Sequence, residues 1–373
     1  MPGSKFRADH VGSLLRPDSI KAARKAHFED STLDAEGLKA VEDEAIADAV
    51  AMQEGLGLKV VTDGEYRRSF WHYDFMGALT GLDLVERATD QGLAFQGATL
   101  RPIFPTISER IAFPEDHPML DHFRYVASTS GVTPKISIPG PSCCHFRTVA
   151  EDIAPPEYDD LEVLFADVAQ AYGDAVQAFY DVGCRYLQMD DIFFAYLCDE
   201  NQREQKRAIG QDPDWLIEQY AKMMDVAIAG RPDDMTIAMH LCRGNFQSTW
   251  VAEGGYDPVA DAIFNQTGVD VYFMEYDSSR AGGLAPLGLV PKGDKRVMTG
   301  FITTKTAELE SIDDVLRRFD EASNHVSIDQ LGIAPQCGFA STEEGNKVTA
   351  DDQKAKLELV LEVAERVWGG VEG

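Results

Sequence analysis

The residues with the clearest chemical potential lie in the C-terminal half of the chain. In His240-Leu241-Cys242 an imidazole and a thiol flank one apolar residue, and on an extended segment such side chains point the same way. Both could ligate one ion. The dipeptide alone is a weak signal, because a half-buried strand with a bonded imidazole and an inert thiol has the same sequence. Glu275 and Cys337 strengthen it, since each also falls at the end of a candidate strand. Thiolate, imidazole and carboxylate are the usual ligands of tetrahedral zinc, so His240, Cys242, Glu275 and Cys337 form the candidate metal set. The remaining cysteines read as structural. Cys143 and Cys144 are adjacent, Cys184 lies in a helix-to-strand turn, and Cys198 sits among Phe, Ala, Tyr and Leu.

Positioning these groups requires strands that end at one face. Eight candidate strands alternate with helices: Arg7 to Gly12, Leu58 to Thr62, Lys135 to Pro139, Tyr186 to Met189, Thr236 to Leu241, Asp270 to Met274, Val297 to Ile302 and Gly332 to Pro335. Helical periodicity covers Asp34 to Glu54, Leu161 to Tyr180, Asp214 to Ala229, Pro258 to Asn265, Ile312 to Ser323 and Ala350 to Trp368. This rhythm predicts an α/β fold, a (βα)8 TIM barrel spanning residues 1–373 as one domain. The barrel rule places active sites just past strand ends. There the sequence has His10 and Ser13, Asp63 and Glu65, Asp190 and Asp191, Asp277, Thr303 to Lys305, and Gln336. The stretch from about 85 to 131 breaks the rhythm with prolines and aromatics and no clear long helix, and reads as an insertion after the second strand. Ser279 to Lys295, rich in Gly, Pro and Leu, is expected over the barrel mouth as a lid.

Composition removes several function classes. With 373 residues, 44% of them hydrophobic, the chain can bury a substantial core. A formal charge of −29 opposes nucleic acid and anionic membranes. No apolar run approaches the roughly 20 residues that span a bilayer, and MPGSKFRADH lacks a signal-peptide core. A cytoplasmic protein is expected, with six cysteines that are thiols or metal ligands rather than a disulfide scaffold. A homo-oligomer is compatible with all of this.

Beyond the metal set, the chain resembles the catalytic domain of cobalamin-independent methionine synthase. His10-Val-Gly-Ser-Leu-Leu-Arg-Pro17 is similar to the family's opening Gly-Ser strand end, Thr62-Asp-Gly-Glu-Tyr-Arg-Arg68 to its Gly-Glu motif and Ile138-Pro-Gly-Pro141 to its Gly-Pro loop. Leu187-Gln-Met-Asp-Asp191 resembles its acidic strand end, and Pro335-Gln-Cys-Gly338 its last zinc-ligand motif. The match is nearest to short, single-domain members. The resemblance implies a zinc cofactor and methyl transfer to homocysteine. It makes Ser13, Glu65 and Asp190 the residues that hold the amino-acid part of the thiol, with the ammonium between the two carboxylates. Such a cation would relieve their mutual repulsion.

Two departures bear on mechanism. Where the family carries a histidine after strand seven, this chain has Lys305, which with Asp190 becomes the catalytic candidate. A family tryptophan that stacks on folate after the Gly-Pro loop has no counterpart in Ser142-Cys-Cys-His-Phe-Arg147. The methyl donor is therefore open: a small donor, methyl-folate, or a methyl-corrinoid, free or on a partner protein. Poor use of polyglutamylated methyl-folate is expected. Competing readings are epoxide opening by coenzyme M, whose sulfonate offers no ammonium to Glu65 and Asp190, and a barrel hydrolase. Two thiolates would blunt the Lewis acidity that hydrolysis needs.

Overall fold

Segments such as Val271-Tyr-Phe-Met-Glu275 and Thr236-Ile-Ala-Met-His-Leu241 are buried at every position, the pattern of parallel strands covered on both faces. They lie at the centre of a mixed α/β fold. The computed structural model describes residues 6–86, 94–95, 98–99 and 103–373.

Helix α1 (Asp18–Phe28) is followed by α2 (Ala35–Leu56), which starts at Asp34, whose side chain accepts from Gly37 N, and stops at Gly57 with φ 102°. Strand β1 (Val60–Val61) and helix α3 (Tyr73–Met76) follow. Next come β2 (Thr80–Glu86), β3 (Ala94–Phe95), β4 (Ala98–Thr99) and β5 (Ile103–Ala112), then α4 (Pro118–Thr129). Strand β6 (Thr133–Pro134) continues through Lys135 into β7 (Ile136–Pro139). The regular alternation then runs α5 (Leu161–Asp181), β8 (Tyr186–Asp190), α6 (Ile192–Tyr196), α7 (Glu200–Ala208), α8 (Pro213–Ile228), β9 (Thr236–Leu241) and α9 (Ala260–Asn265). It closes with β10 (Val271–Glu275), β11 (Arg296–Ile302), α10 (Ile312–Ala322), β12 (Leu331–Pro335) and α11 (Ala350–Trp368).

Strands β7 to β12 form a six-stranded parallel sheet in chain order. Beyond β7, β1 pairs in parallel with β6. The first predicted strand, Arg7 to Gly12, is reduced to isolated bridges among the described residues: Ala8 pairs in parallel with Ile333, and Phe6 bridges Glu372. On the other side Thr62 Oγ1 donates to Gly12 O at 2.6 Å and Leu14 N to Gly64 O at 3.0 Å. Toward β12 two ladder bonds are kept, Asp9 N to Ile333 O at 3.1 Å and Ile333 N to Arg7 O at 2.8 Å, but beyond them side chains take the carbonyls: Lys135 Nζ donates to His10 O, and Gln188 Nε2 to Val11 O at 2.8 Å. Asp9 is held by Lys135 Nζ at 2.9 Å and by Tyr186 Oη at 2.7 Å, all within the core. Gly12 also takes φ 143°.

The predicted insertion needs two corrections. Its β-structure starts earlier, with β2 and β5 pairing antiparallel from Thr80. Its last third is not inserted at all, since α4 has 12 residues and packs against α2 and β6 as the helix of the second βα unit. Leu120, Phe123 and Val126 supply its buried face at spacing three, a pattern too short to outweigh the surrounding prolines. Ser279 to Lys295 stays at the mouth only at its start, where Arg280 Nη2 donates to Glu275 Oε2 and to Asp277 Oδ1, each at 3.2 Å. It runs down the outside of the sheet in two 3-10 turns, Asn265 Nδ2 donates to Leu289 O at 3.3 Å, and Lys295 Nζ caps Thr267 O and Val269 O at the opposite end of β10. Among the described residues no helix is long and apolar enough to cross a membrane.

Candidate active site and metal centre

Sheet register brings the predicted ligands together. His240 has Asp190 of β8 as its partner on one side and Phe273 of β10 on the other, and Leu241 pairs with Met274. Cys242, just past β9, is therefore level with Glu275 at the end of β10. Cys337 lies two residues beyond β12. The ligand atoms of all four residues lie within 4.8 Å of one another, and all four residues are buried. Cys242 Sγ is 3.1 Å from Cys337 Sγ, Cys337 Sγ donates to Glu275 Oε1 at 2.8 Å, and His240 Nε2 is 3.8 Å from Cys337 Sγ.

Glu275 and Cys337 meet although β11 separates their strands. The residue of β11 paired with Glu275 is Gly300. A Cβ there would come within 2.6 Å of Gln336 Cα and 2.8 Å of Met274 O. Its missing side chain is what lets β10 and β12 converge around it.

The donor set fits a metal. Two sulfurs, an imidazole and a carboxylate converge in a buried space, the chemistry of zinc rather than of magnesium or calcium. Burial by itself would raise the Glu275 carboxyl, but Lys305, then Arg280, the Cys337 hydrogen bond and Arg243 bring it down to about 2. Burial and the adjacent Cys242 push the Cys337 thiol well above its ordinary value. A dication at the centre reverses that tendency by stabilising the thiolate.

Asp190 has a role the sequence does not reveal. Its Oδ1 is 3.3 Å from His240 Nδ1 and accepts from Gln188 Nε2 at 2.8 Å. A carboxylate on Nδ1 fixes the ring with Nε2 facing the cluster, the usual outer support of a metal-bound histidine. Asp190 also lines a cavity of about 40 Å³ beside His240 and Cys242.

Of the other predicted residues, Ser13 shares this cavity, whereas Glu65 and Lys305 do not line it. Ser13 lines it, and its Oγ accepts from Ala340 N at 3.2 Å. It lies so close to Gly338 that a Cβ there would be 1.8 Å from the Ser13 Oγ. Lys305 is buried and, among the described residues, its Nζ has no hydrogen-bond partner. Glu65 does not line the same cavity as Asp190. It takes φ 59°, forms an ion pair with Arg68, and lines a neighbouring cavity of about 150 Å³. The four cysteines read as structural are buried and free, and burial pushes Cys144, Cys184 and Cys198 up to about 12.

Sequence reasoning missed Arg68, Phe70, Trp71, Arg147 and Tyr196, which also line the cavity at the metal cluster. Phe70 and Trp71 come from the segment following β1. Its signal was present in Arg67-Arg68-Ser69-Phe70-Trp71-His72, a density of cations and rings unusual for a surface turn. Arg67 turns away, to Glu42 at 2.9 Å.

The chain is similar to known proteins over nearly its whole length. YxjG, an uncharacterized protein of Bacillus subtilis, is 48% identical over 368 residues, covering 97% of this chain and 95% of its own. A Listeria monocytogenes crystal structure, provisionally assigned as a vitamin-B12 independent methionine synthase, is 36% identical with a TM-score of 0.77, covering 98% of both chains. A B12-independent methionine synthase from Shewanella sp. W3-18-1, solved in complex with selenomethionine, shares the fold at 19% identity and a TM-score of 0.71, again over 98% of both chains. Residues 6–366 match the family described as the cobalamin-independent synthase, catalytic domain, and the chain belongs to that family.

Proposed function

We propose that this protein is a zinc-dependent methyltransferase whose acceptor is a thiol, homocysteine giving methionine. The observation that carries the reading is the convergence of His240, Cys242, Glu275 and Cys337 within 4.8 Å, in a chain of the cobalamin-independent synthase family. The fold is taken as a closed (βα)8 barrel, a reading supported by the bridges that the segment around Ala8 to Leu14 makes to Ile333 and Gly64. The acceptor and the methyl donor are the small-molecule partners.

His240, Cys242, Glu275 and Cys337 would hold the ion. When bound, zinc supplies a Lewis acid that keeps the acceptor sulfur ionised and nucleophilic near neutral pH. Asp190 orients His240 through Nδ1. Ser13, Glu65 and Asp190 receive the amino-acid part of the acceptor, with the ammonium between the carboxylates. The sulfur–methyl bond forms as the donor–methyl bond breaks, and Lys305 offers positive charge or a proton to the departing group. Two cysteines in the ligand set weigh against hydrolysis.

The test is a zinc-loaded preparation titrated with homocysteine while the zinc absorption edge is recorded. Addition of a sulfur ligand is the expected change. An edge indifferent to homocysteine, with zinc at one per chain, would remove the acceptor from this reading.

A further inference from the structure

Arg68 stands where the acceptor's ammonium is expected. Its Nη2 pairs with Glu65, and its Nη1 donates to Trp71 O at 3.4 Å. Its Nε has no hydrogen-bond partner among the described residues. Burial lowers the guanidinium to about 10, and Asp190 is the charge that most opposes that fall. Arg68 thus pairs with Glu65 and shares a cavity wall with Asp190.

The cavities tell the same story. Asp190 lines the space of about 40 Å³ at the metal cluster, Glu65 the neighbouring space of about 150 Å³, and Arg68 with Trp71 lines both. Arg68 and Trp71 form the wall between the two spaces. For one ammonium to reach both Asp190 and Glu65, that wall must open. Its backbone is fixed, since Arg16 Nη2 donates to Glu65 O at 2.8 Å and to Arg68 O at 2.7 Å. The Arg68 side chain is the part left to move. Removing a cation from beside a buried carboxylate is costly unless another cation arrives.

We propose, building on the homocysteine reading above, that Arg68 is a specificity-determining residue. Its guanidinium fills the ammonium subsite of the free protein, and a thiol displaces it only by bringing its own ammonium. A desamino thiol cannot make that exchange.

The test is calorimetry of zinc-loaded wild type and Arg68→Ala with homocysteine and with its desamino analogue 4-mercaptobutyrate. The variant should bind homocysteine about tenfold more tightly, while affinity for 4-mercaptobutyrate does not improve. Weaker homocysteine binding would make Arg68 a substrate contact instead, and equal tightening of both thiols would make it a mere steric plug. Either result overturns the exchange and leaves the acceptor reading standing, whereas failure of both proteins to bind either thiol removes the acceptor reading itself. A readout on the native side chain covers a variant that does not fold. Trp71 emission in the wild type, identified by its loss in Trp71→Phe, should respond to homocysteine and not to 4-mercaptobutyrate, and an equal response to both would sink the proposal.

Discussion

Asp190 Oδ1 lies 3.3 Å from His240 Nδ1, and the two residues are direct register partners on β8 and β9. The carboxylate assigned by resemblance to the substrate thus also supports a metal-ligand candidate. Asp190→Asn should therefore lower zinc affinity by about 10- to 100-fold, in addition to weakening homocysteine binding. Competition with a chromophoric chelator measures the first effect. Unchanged zinc affinity in the variant would confine Asp190 to the substrate.

Cys242→Ser and Cys337→Ser should each lose most of the zinc while the circular dichroism of the parent is retained, because the sheet is built by β7 to β12 independently of these loops. Metal analysis of the purified variants decides. Full zinc content in both would mean that the ion is held elsewhere.

Zinc binding should also strengthen as pH rises from about 6 to 8. The Cys337 thiol is pushed well above its ordinary value, so it is protonated before binding, and zinc must expel that proton. Each proton released adds about one log unit of affinity per pH unit below the thiol's pKa. Glu275, held at about 2, is already ionised and contributes no proton. A pH-independent affinity over this range would show that the thiols are ionised without the metal.

Gly300→Ala isolates the convergence of β10 and β12. The added Cβ meets Gln336 Cα and Met274 O at distances no atom pair tolerates, so the strands must part. Overpacking of this kind costs about 1–3 kcal/mol of stability. Zinc affinity should fall with it although no ligand has changed, as denaturation and chelator competition on the same preparation would show.

What could be read from sequence follows from how local each signal is. Thr236 to Leu241 and Ala350 to Trp368 have the bounds expected of them, because their apolar runs and flanking breaks are contained within a few residues. The convergence of His240, Cys242, Glu275 and Cys337 was legible for a similar reason, as chemistry-bearing residues at the ends of such runs. The Asp190–His240 pairing was not, since it depends on the register between two strands. Arg68 was read only as a neighbour of Glu65, because nothing local says that its side chain turns inward while Arg67 turns toward Glu42. The first strand is shorter than read for the opposite reason: Arg7 to Gly12 alternates acceptably, yet the His10 and Val11 carbonyls are taken by the distant side chains of Lys135 and Gln188.

The last prediction concerns the donor. Methyl-folate carrying a triglutamate tail should be used no better than the monoglutamate. Each added carboxylate approaches a chain with a formal charge of −29, and that repulsion acts over roughly a Debye length, about 8 Å at physiological salt. Lowering the salt should therefore weaken the triglutamate more than the monoglutamate. The ring system of a donor is a separate matter, because Phe70 and Trp71 line the cavity and we propose that they supply an aromatic face to it. Trp71→Ala should reduce affinity for a donor with a flat aromatic ring such as a pterin by about 0.5–1.5 kcal/mol beyond the lost area, and leave that for a small S-methyl compound unaltered. Product formation from homocysteine with mono- and triglutamate, methylcobalamin and small S-methyl donors, at two ionic strengths, separates these terms. Efficient turnover of the triglutamate at micromolar concentration and low salt would show that the tail is held by local cations such as Arg147, and that the net charge of the chain does not govern donor choice.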